Sequence, residues 1–106
     1  MRPLREQEIP LLRHLLSRAG RREDPRTLRV ADMSDGGMGS LSFGPEGSVR
    51  FGGSISECTF VDSDGVPVTA SLYVNENGAL LEMDVWKVDF SPLQSWPTAL
   101  MLGGAG

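Results

Sequence analysis

The chain has 106 residues, 40% of them hydrophobic and 23% charged, and a net charge of −4. This is an ordinary composition for a globular protein, and the length suits one domain whose core needs no cross-links. No apolar run approaches the roughly 18 residues of a membrane-spanning helix. The start MRPLREQEIP lacks the apolar core of a secretion signal. The chain has one cysteine, Cys58, and one histidine, which argues against a disulfide or a zinc site. We therefore expect a cytoplasmic protein without a cofactor.

The first predicted element is a helix near Glu6–Arg18. Its apolar residues recur at the three- and four-residue spacing of one helix face, namely Leu11, Leu12, Leu15, Leu16 and Ala19. Pro10 is tolerated only in a first turn, so the regular helix should begin near Gln7 or Glu8. Gly20 suits a left-handed residue that ends it. We expect the leucines to pack on a sheet.

After a loop over Arg21–Arg26, the apolar period changes to two. This pattern predicts strands over Leu28–Met33 and Met38–Phe43, joined by a turn at residues 35–37 whose glycines supply positive φ. A second turn is predicted at residues 44–47. Val49 and Phe51 then suggest a short edge strand.

Three longer strands are predicted next, over Ile55–Val61, Val66–Val74 and Ala79–Asp89. The connections at residues 62–65 and 75–78 both end in glycine, which is typical of four-residue hairpin loops. We therefore predict a two-layer α+β fold, with the N-terminal helix packed on an antiparallel meander. It forms one domain over residues 1–102, followed by a flexible tail at 103–106.

The last strand breaks its own alternation. Leu81, Met83 and Val85 fall on one face, whereas Trp86, Val88 and Phe90 fall on the other. Such a pattern predicts either a bulge near Val85–Trp86 or cover on both faces. Because exposed tryptophans favour contacts with partners, Trp86–Trp96 is the segment in which we expect a functional surface.

Several motifs have both a chemical and a structural interpretation. Asp62-Ser63-Asp64-Gly65 begins like a calcium loop but lacks the remaining ligands, so a hairpin turn is favoured. Asp35–Ser40 is glycine-rich and would expose amides to an anion, yet it matches no phosphate-binding motif. His14 and Cys58 lack the spacing of a catalytic site, and we expect a surface histidine and a small core residue.

Glu82 and Asp84 lie two residues apart on a strand and therefore share a face. Paired carboxylates can carry out acid–base chemistry or bind a cation, and they can also simply face solvent. Lys87 and Asp89 also share a face, where they would form an exposed pair.

The net charge is distributed unevenly along the chain. Residues 1–30 contain eight arginines and four acids, whereas residues 31–106 contain Arg50, Lys87 and ten acids. This polarity indicates either a partner of opposite charge or merely a solvated helix face with acidic loops. We predict no catalytic residues. The hypothetical partner surface consists of Asp35, Met38, Glu82, Asp84, Trp86, Lys87, Asp89 and Trp96.

Two motifs and the start of the chain resemble one known family. DGGMGSLSF at Asp35–Phe43, DVWKVDFSPL at Asp84–Leu93 and the opening RPLREQEIPLLRHLL are similar to small uncharacterised bacterial proteins that share a domain of unknown function. The resemblance covers most of residues 2–97. It implies a bacterial cytoplasmic protein and supplies no catalytic residues. Arg5 and Pro10 depart from the cap and the helix former expected there.

Three functions are compatible with these features. The leading one is a non-enzymatic domain that binds a basic protein through an acidic sheet, by analogy with immunity proteins. A small enzyme would need a cleft joining the 35–40 turn to Glu82, Asp84 and Trp86. RNA binding through the N-terminal arginines is disfavoured by the pI of about 4.8. A homodimer remains open, and no membrane contact is expected.

Overall fold

A computed structural model describes residues 1–44 and 50–103 of the chain. These residues form an α-helix and a six-stranded antiparallel sheet whose strand order is β1-β2-β3-β6-β5-β4. The elements are β1 (Arg2–Pro3), α1 (Ile9–Arg18), β2 (Arg29–Asp32), β3 (Leu41–Ser42), β4 (Phe51–Val61), β5 (Pro67–Asn75) and β6 (Leu80–Lys87). The predicted α+β class is confirmed.

The helix begins slightly later than the sequence predicted. A 3-10 turn over Glu6–Glu8 precedes α1, and Pro10 occupies its first turn, where no amide is needed. At the other end Gly20 has a φ of 69°. The amide of Arg21 there donates to the carbonyl of Leu16 at 2.9 Å, which closes the helix as expected.

The core lies between α1 and one face of the sheet, which we call the core face. The four leucines of the helix are buried and pack in one cluster with Val68, Ala70 and Leu72 of the central strand β5, as predicted. The other strands add apolar side chains to the same cluster, among them Val30, Leu41, Phe60, Met83 and Val85. The alternation of β5 is therefore explained by burial on one side only.

The early strands differ from the prediction. β3 is only Leu41–Ser42 because the preceding turn extends further: the Asp35 carboxylate accepts from the amides of Met38 at 3.1 Å and Ser40 at 2.8 Å. Phe51 does not belong to a separate edge strand, since β4 runs without interruption from Phe51 to Val61. The predicted turn at 44–47 and Val49 fall largely outside the described residues, as does the tail after residue 103.

The predicted meander of β4, β5 and β6 is confirmed, but the predicted bulge at Val85–Trp86 is wrong. The β5–β6 register is regular from Val68 opposite Lys87 to Tyr73 opposite Glu82. β6 instead ends at Lys87, so Val88 and Phe90 lie beyond the sheet and obey no alternation. The alternative prediction, that both faces of this strand are covered, also fails, because Trp86 is 41% exposed.

Lys87, the only lysine of the chain, lies on the core face at the end of β6 and is buried. Its ammonium donates to Asp62 at 2.8 Å, to Asp64 at 2.6 Å and to the carbonyl of Pro92 at 3.2 Å. The expected exposed pair with Asp89 is therefore wrong. We call Lys87, Asp62 and Asp64 the buried clamp, and it fixes the 62–65 turn, which is a hairpin as predicted.

The clamp also holds the segment that follows β6. The carboxylate of Asp62 accepts from the amides of Gln94 at 2.8 Å and Ser95 at 3.0 Å. Burial by itself would raise the pKa of Asp62, but the amide of Gln94, the ammonium of Lys87 and the amides of Ser63 and Ser95 hold this pKa well below its ordinary value. Asp62 therefore remains ionised in the folded protein, and the hydrogen bonds that it accepts are charge-assisted.

We expect Leu15→Ala to lower the free energy of unfolding by about 2–5 kcal/mol, because it removes a fully buried side chain and leaves a cavity. Denaturant unfolding followed by circular dichroism measures this loss. Leu100→Ala is the control, since Leu100 is 85% exposed and should change stability by no more than about 0.5 kcal/mol. Equal stabilities of the two variants would contradict the packing.

We expect Lys87→Met to lower the thermal unfolding midpoint markedly, because the buried carboxylate of Asp62 loses its cation. The control is Arg13→Met, which removes the same charge from an exposed position on the helix. Differential scanning calorimetry of both variants decides the question. A loss for Lys87→Met no larger than that of the control would show that the clamp is unimportant for folding.

Candidate functional site

No helix within residues 1–44 and 50–103 covers the second face of the sheet, and we call this face the open face. Cross-strand pairing of β4, β5 and β6 arranges its side chains in rows. One row is Glu57, Ser71 and Asp84, a second is Ser54, Tyr73 and Glu82, and a third is Thr59, Thr69 and Trp86. Glu82, Asp84 and Trp86, which the sequence placed on one strand face, are therefore neighbours here.

The carboxylates of β6 lack a cation in the described structure. Partial burial, followed by the neighbouring Asp84 carboxylate, raises the pKa of Glu82. Burial and the Asp35 carboxylate raise the pKa of Asp84, although a hydrogen bond from the hydroxyl of Ser40 at 3.4 Å opposes the shift. Both shifts mean that this face holds negative charge at an energetic cost, which a cation placed on it would relieve.

Neutral hydroxyls connect the acids to the sheet. Ser71 lies between Glu57 and Asp84 in the central row and donates to Glu57 at 3.4 Å. Ser40 is buried, and its hydroxyl accepts from the amide of Val85 at 2.9 Å, which anchors the 35–40 turn to β6. The position of Asp84 is thus fixed by regular strand structure and not by a mobile loop.

Aromatic pairs stand at two ends of the open face. Trp86 meets the ring of Phe90 edge to face, with ring centres 6.0 Å apart, and Phe90 is 68% exposed. Phe51 and Tyr73 pair at 5.3 Å at the other end, where Phe51 is also exposed. Large apolar side chains that remain exposed around polar groups are typical of interaction surfaces.

The remaining predicted site residues are engaged in other contacts or lie beyond the end of the strand. Lys87 is buried in the clamp, and Trp96 is half-buried against the core cluster and Gly39. Asp35 binds the amides of its own turn, and the sulfur of Met38 accepts from the amide of Lys87 at 3.4 Å. Asp89 is exposed beyond the end of β6. We therefore limit the candidate site to Glu57, Glu82, Asp84, Trp86 and Phe90.

A cleft of about 320 Å³ lies beside the 35–40 turn. Its lining combines that turn with an ionic cluster and one tryptophan: Arg5, Glu8, Asp32, Met33, Asp35, Gly37, Gly39, Ser40 and Trp96. Glu82, Asp84 and Trp86 are not among these residues. The cleft therefore does not join the two motifs that an enzyme site had required.

Other candidates for chemistry show structural environments. Burial, and secondarily Arg18, lowers the pKa of His14, which lies on the helix. Burial raises the pKa of Cys58, whose side chain packs against the core, so the thiol lacks the lowered pKa of a nucleophile. Within the described ranges, no three His, Cys, Asp or Glu side chains are grouped as metal ligands.

Ion pairs within the protein occupy several of the N-terminal arginines. Arg2 forms two-pronged bonds with both Glu8 and Asp32, and Arg26 pairs with Glu6 at 2.7 Å. Arg21 likewise binds Glu23 with two nitrogens. The charge surplus of residues 1–30 is therefore partly neutralised inside the protein, which weakens the case for an RNA surface.

The sequence did not indicate the buried clamp or the ionic cluster of Arg2, Glu8 and Asp32. One signal was available for the first. The single lysine shares a strand face with Leu81, Met83 and Val85, and an unpaired charge is not tolerated on a buried apolar face. The second joins positions up to 30 residues apart, and no local pattern marks it.

The fold and this face define a two-layer α+β domain whose sheet is open and acidic on one side. The chain belongs to the family described as Domain of unknown function (DUF6984), whose model matches residues 1–97. Among curated proteins and among solved structures, none matches the chain significantly. None of the helices in residues 1–44 and 50–103 has the length and apolar character needed to cross a membrane.

We expect Asp84→Asn to raise the thermal unfolding midpoint at neutral pH. The pKa of Asp84 is raised in the folded protein, so ionisation costs more there than in the unfolded chain, and this cost vanishes below the ordinary aspartate pKa of about 3.9. The gain in midpoint should therefore shrink as the pH falls towards that value. Calorimetry across this range measures it.

The matched control is Glu76→Gln, in the exposed 75–78 turn. It removes one negative charge away from the open face. A gain for Glu76→Gln equal to that of Asp84→Asn would show that only net charge matters and that the open face carries no local cost.

Proposed function

We propose that this chain is a non-enzymatic protein-binding domain of the bacterial cytoplasm that docks a basic partner on its open face, in the manner of an immunity protein. The observation that carries the proposal is the pair of partly buried carboxylates of Glu82 and Asp84, which share one face of β6 with the exposed Trp86 and face no cation among the described residues. Burial raises the pKa of both carboxyls. Uncompensated charge next to an exposed aromatic side chain is what a cationic surface would complement.

Arginine and lysine side chains suit this face chemically. A guanidinium forms two parallel hydrogen bonds with a carboxylate. Glu82 and Asp84 offer carboxylates from β6, and Glu57 offers one from β4, on the other side of β5. Trp86 and Phe90 provide ring faces for cation–π contacts at the edge of the same surface. A partner whose basic residues match the spacing between the strands would contact both the carboxylates and the aromatic rings.

The distribution of charge supports association with a partner of this kind. The arginines of α1 lie in the helical layer, whereas the acids of β4 and β6 lie on the opposite side of the sheet. Such a polar molecule orients itself in the field of a basic partner before contact, which raises the association rate at low salt.

We test the proposal with an acetylated and amidated tri-arginine peptide, added to the ¹⁵N-labelled protein and followed by NMR. Chemical shift changes are expected at the open-face residues of β4, β5 and β6 and at the indole of Trp86. The indole of Trp96, which packs against the core, should not respond. The changes should decrease as salt is added, because the contact is electrostatic.

Two double variants make the test specific. Glu82→Gln/Asp84→Asn should abolish the shift changes on the open face. Glu6→Gln/Glu76→Gln removes the same charge from exposed positions elsewhere and should leave binding intact. Equal weakening by both, or shift changes spread evenly over all the acidic residues, would refute the open face as the docking surface.

A further inference from the structure

β4 forms an edge of the sheet and is its longest strand. Its 11 residues pair only with β5, and no other strand of the described residues lies along its other side. The opposite edge of the sheet is different, since β1 has two residues and one of them is Pro3, which cannot donate. A long unpaired edge is a template for another strand.

Hydrogen bonding determines which backbone groups of β4 point outward. The amide of Asp62 donates to Val66 across the hairpin, and the amide of Val88 donates to Pro67 on the far side of β5. Because inward and outward groups alternate along an antiparallel strand, Cys58 and Phe60 bond to β5. Glu57, Thr59 and Val61 therefore direct their N–H and C=O groups away from the sheet.

These outward groups have no partner in the described structure. No backbone hydrogen bond from any described residue reaches the outward groups of Glu57, Thr59 or Val61. Protein edges are usually blocked by lysine, proline or bulges. In β4 the register shifts are confined to Phe51–Ser56, and the regular half from Glu57 to Val61 contains no lysine or proline.

We propose that this edge pairs with the same edge of a second copy of the chain, antiparallel, with Thr59 on the two-fold axis. In that register Thr59 faces Thr59 of the partner subunit, and Glu57 faces Val61 of the partner subunit. The six outward N–H groups of the two strands then all meet carbonyls, as in an ordinary antiparallel ladder. Paired threonines across strands are favourable.

Charge and the 62–65 turn exclude two alternative registers. Centring the pair on Glu57 would place the two glutamates opposite one another, which is destabilising. Centring it on Val61 would require the 62–65 turn to pair, but that turn is held by the buried clamp. The register centred on Thr59 avoids both problems. Its symmetry is that of the commonest homodimers.

The pairing would join two six-stranded sheets into one. The open faces of both copies would then form a continuous surface, with Glu57 of each copy near the middle. On the core side, Cys58 would lie beside Phe60 of the partner subunit and extend the apolar layer across the junction. The dimer would present two docking faces to one partner assembly, although the pairing itself does not depend on that function.

Sedimentation equilibrium and multi-angle light scattering test the pairing on the full chain. The wild-type protein should have twice the single-chain mass of 11.5 kDa. Thr59→Pro removes the central outward N–H, which an edge strand tolerates, and should halve the mass. Thr59→Val keeps that N–H, removes only the hydroxyl, and should remain dimeric.

A second variant guards against misfolding of the proline substitution. Thr59→Lys keeps the backbone but places two like charges at the axis, and it should also be monomeric with a native circular dichroism spectrum. Wild-type protein of single-chain mass throughout a dilution series would overturn the proposal. Dimeric Thr59→Lys would overturn it equally. Binding of the tri-arginine peptide is also measured on the monomeric variant, so that failure of the strand pairing and failure of docking on the open face can be distinguished.

Discussion

The buried clamp is the interaction that joins three separate parts of the chain: the 62–65 hairpin, the end of β6 and the segment that follows β6. A single ammonium, Lys87, neutralises Asp62 and Asp64 and also binds a carbonyl of the segment beyond β6. Asp62 in turn holds the amides of that segment. Because every polar group of the clamp has a partner, the hairpin, the end of β6 and the C-terminal segment are fixed in one geometry. Removing one partner of such a buried ion pair is destabilising, because it leaves an uncompensated charge in the interior.

The helix covers only the core face of the sheet, so the open face can carry uncompensated charge. The helix and the segment after Pro92 both lie on the core face, and the clamp there satisfies its own carboxylates. Glu82 and Asp84, five and three residues before Lys87 and on the other face of β6, have no such cation among the described residues. The same strand therefore carries a neutralised ion-pair cluster on its core face and carboxylates without a described cation on its open face.

Local patterns predicted the fold better than the site. The spacing of the helix leucines and the alternation of β5 each reflect burial of one face, so both were predicted correctly. The bulge at Val85–Trp86 was wrong because it assumed that β6 continued to Asp89, whereas the strand stops at Lys87. Lys87 and Trp96 were predicted to lie on a surface, because the sequence does not show how deeply a side chain is buried. Only the long-range contacts with Asp62 and Gly39 show that the two residues are structural. Glu82, Asp84 and Trp86 were placed together correctly, since they share one strand face.

Trp86 lies on the open face of the sheet and Trp96 packs against the core, and this gives the protein two intrinsic fluorescent reporters. Trp86 is exposed beside the carboxyl groups of the open face, so its indole emission should respond to solvent and to any molecule that covers this face. Trp96 packs against Gly39, where a side chain would collide with its ring, so its emission should follow the integrity of the core. Quenching by an added solute would distinguish the two signals. One unlabelled sample could thus report occupancy of the surface and unfolding separately.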